Sequence, residues 1–235
     1  VPYNQLQGKK TWAETVTDWT GVTIQNSRQI IDNALSLLKE KEGESTVYVY
    51  NTLATDRNEL VAVEVPVSWR NSDWVVLDKQ GKKQPVQWLT EDGISKLLFR
   101  AQVPSAGYAS YAIRKAEDKQ SGTLKAERQK DGTFRMENDL YTLVLTPSKG
   151  GVIESLKAKA VRGKDFVDNR NERGFNELRG YFIDEGGFLS SMDQPAEVSV
   201  LEQGPLFVKV AVKGKIGKYS FTQTIRLTQG EPRID

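Results

Sequence analysis

The fold is decided by residues 136–156, which read MENDLYTLVLTPSKGGVIESL. Residues 141–146 are β-branched or large and apolar, a composition typical of a largely buried strand. Pro147 ends that strand, and Gly150-Gly151 forms a turn that tolerates a positive φ. A second apolar strand opens directly after the turn. Because a two-stranded hairpin is marginal in water, the stretch predicts a larger sheet around it.

The overall composition is that of an ordinary globular protein. The chain has 235 residues, which is enough for one large or two modest domains. Apolar residues make up 38% and charged residues 27%, as expected for chains with normal cores. A net charge of +2 argues against a nucleic-acid partner, since such proteins carry a clustered basic excess. No apolar run approaches the length of a membrane span.

Cysteine and histidine are both absent from the sequence. No thiolate nucleophile, disulfide or thiolate metal site can form, and no imidazole can serve as zinc ligand, triad base or proton shuttle. Any chemistry would depend on carboxylates, Lys, Tyr, Ser or Thr. The favoured interpretation is therefore that this chain has no catalytic residues, metal site or cofactor of its own.

Residues 1–44 are predicted to be a helical linking segment. A short amphipathic helix is expected first, and Gly21 is predicted to interrupt it. Asn26 then has the character of an N-cap for a second helix that runs to about Lys41. Gly43 suits the C-terminal end of that helix.

From residue 46 the apolar period changes from helical to alternating, which predicts strands. Residues 45–116 are predicted to be a small β-sandwich, because six short strands are separated by turn signals. The six segments read VYVYN, LVAVEVPV, WVVLD, PVQWL, KLLFRAQV and YASYAIRK. Pro66 cannot donate to a sheet ladder, so its strand should lie at an edge or carry a bulge there.

Residues 117–235, with a boundary near Glu117, are predicted to be the first part of a larger antiparallel β-sandwich. Alternation in the strand that begins at Leu206 places Leu206, Val208, Val210 and Val212 toward the core. Residues 168–187 are expected to form a long polar loop, and long loops in compact domains are often functional. The sequence stops where a sheet would continue, so we interpret it as a truncated piece of a longer protein.

Three stretches of the sequence resemble the middle and C-terminal β-domains of glycoside hydrolase family 38, the α-mannosidases. The first resembles the family pattern V-x-N-x-L-x-x-x-R-x-x-x-V-x-V-x-V and is carried here by Val49, Asn51, Leu53, Arg57, Val61, Val63 and Val65. The second resembles N-x-x-Y-x-L-x-x-x-x-x-x-G-G-x-I-x-S-L, on Asn138, Tyr141, Leu143, Gly150, Gly151, Ile153, Ser155 and Leu156. The third covers residues 176–235.

The resemblance implies a fold and an activity for the parent protein. The fold would be mainly β, with a helical segment, a small β-sandwich and the start of a galactose-mutarotase-like supersandwich. In that family an upstream α/β domain holds zinc and an aspartate nucleophile, and it hydrolyses α-mannosides with retention. No position here matches those catalytic motifs. The implied role is a non-catalytic fragment, inactive alone, in mannose and glycan degradation.

The resemblance also implies partners for the chain. These are the upstream catalytic domain, the remaining C-terminal β-strands of the parent, and mannose-containing glycans. Zinc is expected only in the parent's catalytic domain. A bacterial origin is expected, and the compartment is open between periplasm and cytoplasm.

Residues 176–188 are the candidate region for carbohydrate contact. Asn176, Glu177 and Arg179 can bond sugar hydroxyls, and Tyr181 or Phe182 can stack on a ring face. The alternative is a surface loop with a weak Glu177–Arg179 ion pair.

Two other functions remain open from the sequence. One is a stand-alone carbohydrate-binding module that uses Trp69, Trp74 and Trp88 as a sugar platform. Against it, alternating aromatic residues in a sandwich are more often core. The other is a structural or interaction domain without a ligand.

Overall fold

The computed structural model describes residues 11–38, 45–91, 93–116 and 124–235. The chain divides after residue 44 into two compact units, and the described part of the first is residues 11–38. The first holds one helix and the second holds β-strands, so the protein is mainly β with one N-terminal helix. The predicted boundary near Glu117 lies outside the described residues.

The helix α1 (Trp12–Leu38) runs without interruption. Thr11 caps its first turn, because its backbone N–H donates to Glu14 Oε2 at 2.7 Å and its Oγ1 accepts from the Glu14 backbone N–H at 3.3 Å. The prediction that Gly21 ends a helix is wrong, and Asn26 lies inside α1 rather than at a cap. A helical glycine costs only about 1 kcal/mol, which the flanking turns outweigh. Lys41 and Gly43 lie outside the described residues.

The small sandwich spans residues 45–116 and contains seven strands. They are β1 (Thr46–Asn51), β2 (Arg57–Glu64), β3 (Trp74–Asp78), β4 (Lys83–Gln84), β5 (Val86–Glu91), β6 (Ile94–Val103) and β7 (Gly107–Lys115). The order is β1-β7-β3-β4 in one sheet and β2-β6-β5 in the other. Buried apolar residues from both sheets, including Val76, Leu97, Phe99 and Ile113, form the core between them. The six predicted strands are confirmed, and β4 is an additional short one.

The position of Pro66 agrees with its chemistry. The strand β2 stops at Glu64 and lies at the edge of its sheet, as the missing N–H of Pro66 requires. Pro66 then leads into a 3-10 turn, Val67–Asn71. The edge prediction for this strand is confirmed.

The second sandwich spans residues 124–235. Its strands are β8 (Lys125–Arg128), β9 (Phe134–Glu137), β10 (Tyr141–Thr146), β11 (Val152–Ala158), β12 (Lys164–Asp165), β13 (Arg179–Phe182), β14 (Gly187–Ser190), β15 (Glu197–Gln203), β16 (Phe207–Ile216) and β17 (Tyr219–Thr228). A sheet in the order β12-β11-β10-β9-β8 packs against a sheet in the order β15-β16-β17. Their shared core includes Phe134, Met136, Leu143, Val210 and Leu227.

The hairpin of β10 and β11 lies inside that five-stranded sheet, as the sequence predicts. Its turn passes through Gly150 and Gly151, which have φ values of 67° and 78°. A Cβ at Gly150 would lie 1.9 Å from the Ser191 carbonyl oxygen, and one at Gly151 would lie 2.3 Å from Val212 Cγ1. The turn therefore needs glycine both for its backbone conformation and for close packing.

Residues 168–187 contain a strand that the sequence did not predict. The strand β13 pairs antiparallel with β14 in a separate two-stranded sheet. A 3-10 turn, Ile183–Glu185, connects the two strands. The prediction of one long loop is therefore wrong, because two paired strands of only four residues each give no clear alternation in the sequence.

The two sandwiches share a buried junction. Leu98 on β6 packs with Leu206 and Phe207 near the start of β16. The side chain of Gln87, on β5, lies beside them and is only 6% exposed. Its Oε1 accepts from the backbone N–H of Leu206 at 3.0 Å and of Phe207 at 2.9 Å, and its Nε2 donates to the Phe207 carbonyl at 3.1 Å.

Asp165 fastens the segment after β11 to that strand. Its carboxylate accepts from Ser155 Oγ at 2.6 Å, from the Leu156 N–H at 3.0 Å and from the Val167 N–H at 3.1 Å. Burial by itself raises the pKa of Asp165, but these hydrogen bonds outweigh it and hold the pKa below the ordinary value of 3.8.

We expect the stabilisation from Asp165 to depend on pH. A group whose pKa is depressed in the folded state stabilises the fold above its unfolded pKa, and this contribution is lost as pH falls through the folded pKa. The variant Asp165→Asn should therefore unfold at lower urea than the wild type at neutral pH, and the gap should narrow as pH falls below 3.8. Urea titrations across that range measure it. A gap that stays constant with pH would contradict the assignment.

Candidate functional site

The hairpin of β13 and β14 exposes an aromatic and cationic face. Tyr181 lies directly opposite Phe188, and Arg179 lies two residues before Tyr181 on the same side of the strand. The rings of Tyr181 and Phe188 meet edge to face with centroids 5.2 Å apart. The Arg179 guanidinium lies 5.0 Å from the centre of the Phe188 ring. Tyr181 and Phe188 are nevertheless 58% and 62% exposed, so we call Arg179, Tyr181 and Phe188 the hairpin face.

The opposite side of the hairpin holds it on the second sandwich. Phe182 stacks on Tyr219 of β17, with ring centroids 5.2 Å apart and an interplanar angle of 20°. Gly180 lies on the same side, and a Cβ there would approach the Phe182 ring at 3.4 Å. Phe182 therefore anchors the hairpin, and its ring does not belong to the hairpin face.

Glu177 and Asn176 are engaged in the loop that precedes β13. The Glu177 side chain is 8% exposed, and its carboxylate accepts from Ser190 Oγ at 2.6 Å and from the Gly174 N–H at 3.1 Å. Asn176 has a φ of 68° and its Oδ1 accepts from Gln223 Nε2 at 3.0 Å. Both side chains hold the loop in shape.

The structure thus brings together two of the five predicted contact residues, Arg179 and Tyr181, and separates them from the other three. The ion pair of Glu177 is formed at 3.8 Å with Arg173, whereas Arg179 contacts Phe188. Phe188 was not among the predicted contact residues. Only the antiparallel pairing reveals it, because Phe188 becomes the neighbour of Tyr181 across the strands.

The tryptophans of the small sandwich are packed against its core. Trp69 and Trp74 stack on each other with centroids 3.9 Å apart, and Trp74 Nε1 donates to the Trp69 carbonyl at 2.7 Å. Trp88 packs against the same core and lies under the Arg70 guanidinium at 5.6 Å. This packing favours a structural role over a flat platform for sugar.

The described residues show neither a cluster of metal ligands nor a helix suited to span a membrane. They contain no group of three or more acidic residues arranged to hold a metal ion. Their one long helix is not apolar enough to cross a membrane.

Fold and site together define a mainly β protein whose two sandwiches meet at a buried junction and which presents an aromatic hairpin to solvent. Among the solved structures similar to it is an alpha-mannosidase from Enterococcus faecalis V583, with a TM-score of 0.49 and 15% identity over 80% of this chain and 29% of that one. Another is a protein in the glycosyl hydrolase family 38 from Enterococcus faecalis, with a TM-score of 0.48 and 15% identity over 80% and 30% of the two chains.

This chain therefore spans less than a third of the length of either solved protein. The second is described as a member of the family that the sequence motifs resemble. No family model matches the sequence. No curated protein matches it either.

Proposed function

We propose that this chain is the β-domain region of a retaining α-mannosidase of glycoside hydrolase family 38, acting in the degradation of mannose-containing glycans. Its role in the proposal is to support a separate catalytic domain and to contact sugar through the hairpin face. The observation that supports it most is that the two asparagines and two glycines of the family patterns, Asn51, Asn138, Gly150 and Gly151, occupy positions where the fold needs those residue types.

Asn51 is the first example from the family pattern. Its side chain is buried at the end of β1. Its Nδ2 donates to the carbonyls of Thr55 at 2.8 Å and Pro104 at 2.9 Å, and its Oδ1 accepts from the Leu53 N–H at 3.0 Å. An apolar side chain would leave these buried backbone groups without partners. Asn51 therefore fastens two loops at one end of the small sandwich.

Asn138 acts in the same way at the start of the second pattern. Its Oδ1 accepts from the N–H groups of Leu140 at 2.9 Å and Tyr141 at 2.6 Å, which forms the turn into β10. Its Nδ2 donates to the Thr228 carbonyl at 2.8 Å. Asn138 therefore ties one sheet of the second sandwich to the other. Together with Gly150 and Gly151, it supports a role for this part of the pattern in the scaffold.

The hairpin face supplies the chemistry for sugar contact. Aromatic rings pack against the C–H face of a pyranose, and a guanidinium donates hydrogen bonds to its hydroxyls. Tyr181 adds a phenolic hydroxyl that can donate or accept. Because the side chains already contact each other and Phe182 anchors the strand, little ordering would be needed on binding.

Zinc has no fitting site among the described residues, since no suitable cluster of ligands occurs there and the sequence contains no histidine or cysteine. In the proposal, zinc belongs to the catalytic domain of the parent, as the family resemblance implies. We assign no step of the reaction to residues of this chain.

Hydrolysis of p-nitrophenyl α-D-mannopyranoside tests the proposal. The 235-residue chain should be inactive with or without added zinc, whereas the full-length product of its gene should be active and should retain the anomeric configuration. Hydrolysis by the chain alone would overturn the scaffold role. Inactivity of the full-length protein on α-mannosides would overturn the mannosidase assignment in favour of a carbohydrate-binding or structural module.

The hairpin face is tested in the same full-length protein. Tyr181→Ala should raise the KM for a mannobiose about threefold to tenfold, because one aromatic contact is worth ~0.5–1.5 kcal/mol. Tyr108→Ala is the matched control, since Tyr108 is also exposed but lies on the small sandwich. Equal KM values for the two variants would contradict sugar contact at Tyr181.

A further inference from the structure

A cleft in the second sandwich lies outside the hairpin face. Residues 166–175 form it, with a volume of about 590 Å³, and it opens to solvent. The lining residues are Phe166, Asp168, Asn171, Glu172, Arg173, Gly174 and Phe175. A smaller pocket of about 90 Å³ shares Asn171, Arg173 and Gly174 with it and continues toward β11. The combined size lies within the range of small-molecule sites in proteins.

The backbone of this cleft is held in place by β11. The Phe166 N–H donates to the Leu156 carbonyl at 2.9 Å, and the Ile153 N–H donates to the Phe175 carbonyl at 3.0 Å. Between these two points Asn169 Nδ2 donates to the Glu154 carbonyl at 2.9 Å. Backbone groups of Ile153, Glu154 and Leu156 on this one strand thus hold the segment at three points, so the cleft exists before any ligand binds.

Close packing beneath Gly174 supports the same conclusion. A Cβ on Gly174 would lie 2.7 Å from Met192 Sδ and 2.8 Å from Val152 Cγ1. The segment therefore lies tightly on the sandwich at its deepest point. A preformed cleft binds a small ligand with little cost for ordering the protein.

The charged side chains around the cleft are of both signs. Asp168 receives two hydrogen bonds from the Arg170 guanidinium, both 2.9 Å long. Arg173 lines the cleft and is paired with Glu177 at 3.8 Å, whereas Glu172 lines the cleft without an ion partner among the described residues. The cleft thus has no excess of charge beyond this one carboxylate, which favours a neutral ligand over a multiply charged one.

The remaining groups suit a polyol with an apolar face. Phe166 and Phe175 are 53% and 47% exposed and offer ring surface to the cleft. Asn171 and Glu172 line it, and within the described part of the chain their side chains make no hydrogen bond or ion pair. An amide and a carboxylate can together donate to and accept from hydroxyl groups. A neutral pyranose combines such hydroxyls with an apolar C–H face.

We propose that the cleft of residues 166–175 is a binding site for a neutral pyranose, separate from the hairpin face. Sugar binding in this cleft is independent of catalysis. It goes beyond the proposed function because it does not involve Tyr181 or Phe188 of the hairpin face. The two phenyl rings contact the C–H faces of the sugar, and Asn171 and Glu172 bind its hydroxyls.

Amide NMR spectra of the 235-residue chain test this site directly. Methyl α-D-mannopyranoside and methyl β-D-glucopyranoside are the neutral probes, and sodium sulfate is the charged one. We expect at least one neutral probe to shift amides of residues 166–175 with a dissociation constant of ~1–10 mM. Phe166→Ala and Asn171→Ala should each weaken that binding about threefold to tenfold. Tyr108→Ala, the matched control on an exposed aromatic residue of the small sandwich, should leave it unchanged.

Three results would overturn the proposal. One is an absence of shifts at residues 166–175 with both neutral probes up to ~100 mM. The second is shifts there with sulfate alone. The third is shifts at residues 179–190 alone that Phe188→Ala removes, which would support the hairpin face of the proposed function while excluding this cleft. Glu172→Gln is a second variant on an exposed side chain, and the proposal expects it to weaken binding as well.

Discussion

Replacing Gly150 by alanine should destabilise the second sandwich by about 4 kcal/mol or more, the largest effect expected for a single methyl group in this chain. Two causes combine. The φ of 67° is unfavourable for any residue with a Cβ, at ~1–2 kcal/mol. In addition, the new Cβ would lie 1.9 Å from the Ser191 carbonyl oxygen and 2.5 Å from its carbonyl carbon. The Ser191 atoms belong to the backbone and cannot rotate away as a side chain would. Either the Gly150–Gly151 turn or the backbone at Ser191 must therefore move.

Gly186→Ala separates the two causes. Gly186 has the same φ of 67°, but a Cβ there would meet nothing within 4 Å. Its substitution should therefore cost only the conformational part, ~1–2 kcal/mol. Urea unfolding followed by circular dichroism gives both values. If Gly150→Ala and Gly186→Ala cost the same, the predicted collision with Ser191 is wrong.

Replacing Gln87 by alanine should destabilise the protein by about 2–4 kcal/mol and loosen the junction between the sandwiches. The change removes three hydrogen bonds to the backbone of Leu206 and Phe207. The N–H groups of Leu206 and Phe207 would lose the Gln87 acceptor, at about 1–3 kcal/mol for each buried group left unsatisfied, whereas the Phe207 carbonyl keeps the Gly204 N–H at 3.2 Å. Gly204 cannot fill the space, since it contributes no side chain to the junction.

The unfolding of the two sandwiches can be followed separately, because the tryptophans lie outside the second one. All five tryptophans precede residue 124, so their fluorescence does not report on the second sandwich. Hydrogen exchange at Val208, Val210 and Val212 does. As urea is raised, we expect tryptophan fluorescence and valine hydrogen exchange to report one shared unfolding transition in the wild type. In Gln87→Ala we expect them to report two separate transitions. The control is Gln203→Ala, an exposed glutamine in β15. Separate transitions already in the wild type would contradict coupling through Gln87.

Local sequence patterns were sufficient for most of the strands. The alternation in residues 208–212 predicts an inward-facing valine row, and Val208, Val210 and Val212 are fully buried in the second core. Leu206 was assigned to the same row, but it lies in the junction with Phe207 and Leu98. The alternation of apolar and polar residues indicates only which side of a strand faces apolar surroundings. At the start of β16 both sides do, because one faces the core of the second sandwich and the other faces the junction.

Gln87 is a polar residue whose environment the alternation of its strand also fails to predict. In the segment PVQWL the glutamine occupies an outward position, which normally faces water. The second sandwich covers that position, and the amide becomes a buried partner for three backbone groups. Nothing within six residues of Gln87 indicates this, because its partners are 119 and 120 positions away.

The candidate site was predicted in part for similar reasons. The aromatic and charged composition of residues 176–188 predicted a region for carbohydrate contact, and Tyr181 and Arg179 of that region lie on the exposed hairpin face. Glu177 has the same chemical character in the sequence, yet Ser190 and Gly174 hold its carboxylate inside the loop. Strand pairing and loop contacts decide which side chains of residues 176–188 face solvent. The sequence of these residues does not specify those contacts.

The sequence by itself determined the mainly β class, the main hairpin and its glycine turn, since these depend on period, β-propensity and φ within a few residues. It also determined that no histidine or cysteine chemistry occurs in this chain. Only the tertiary structure decided three other features: the β13–β14 hairpin with Phe188 beside Tyr181, the junction at Gln87 and the cleft of residues 166–175. Each of these features depends on contacts between residues that are far apart in the sequence. Such contacts form only when the sheets pack, and they can override the preference of the local sequence.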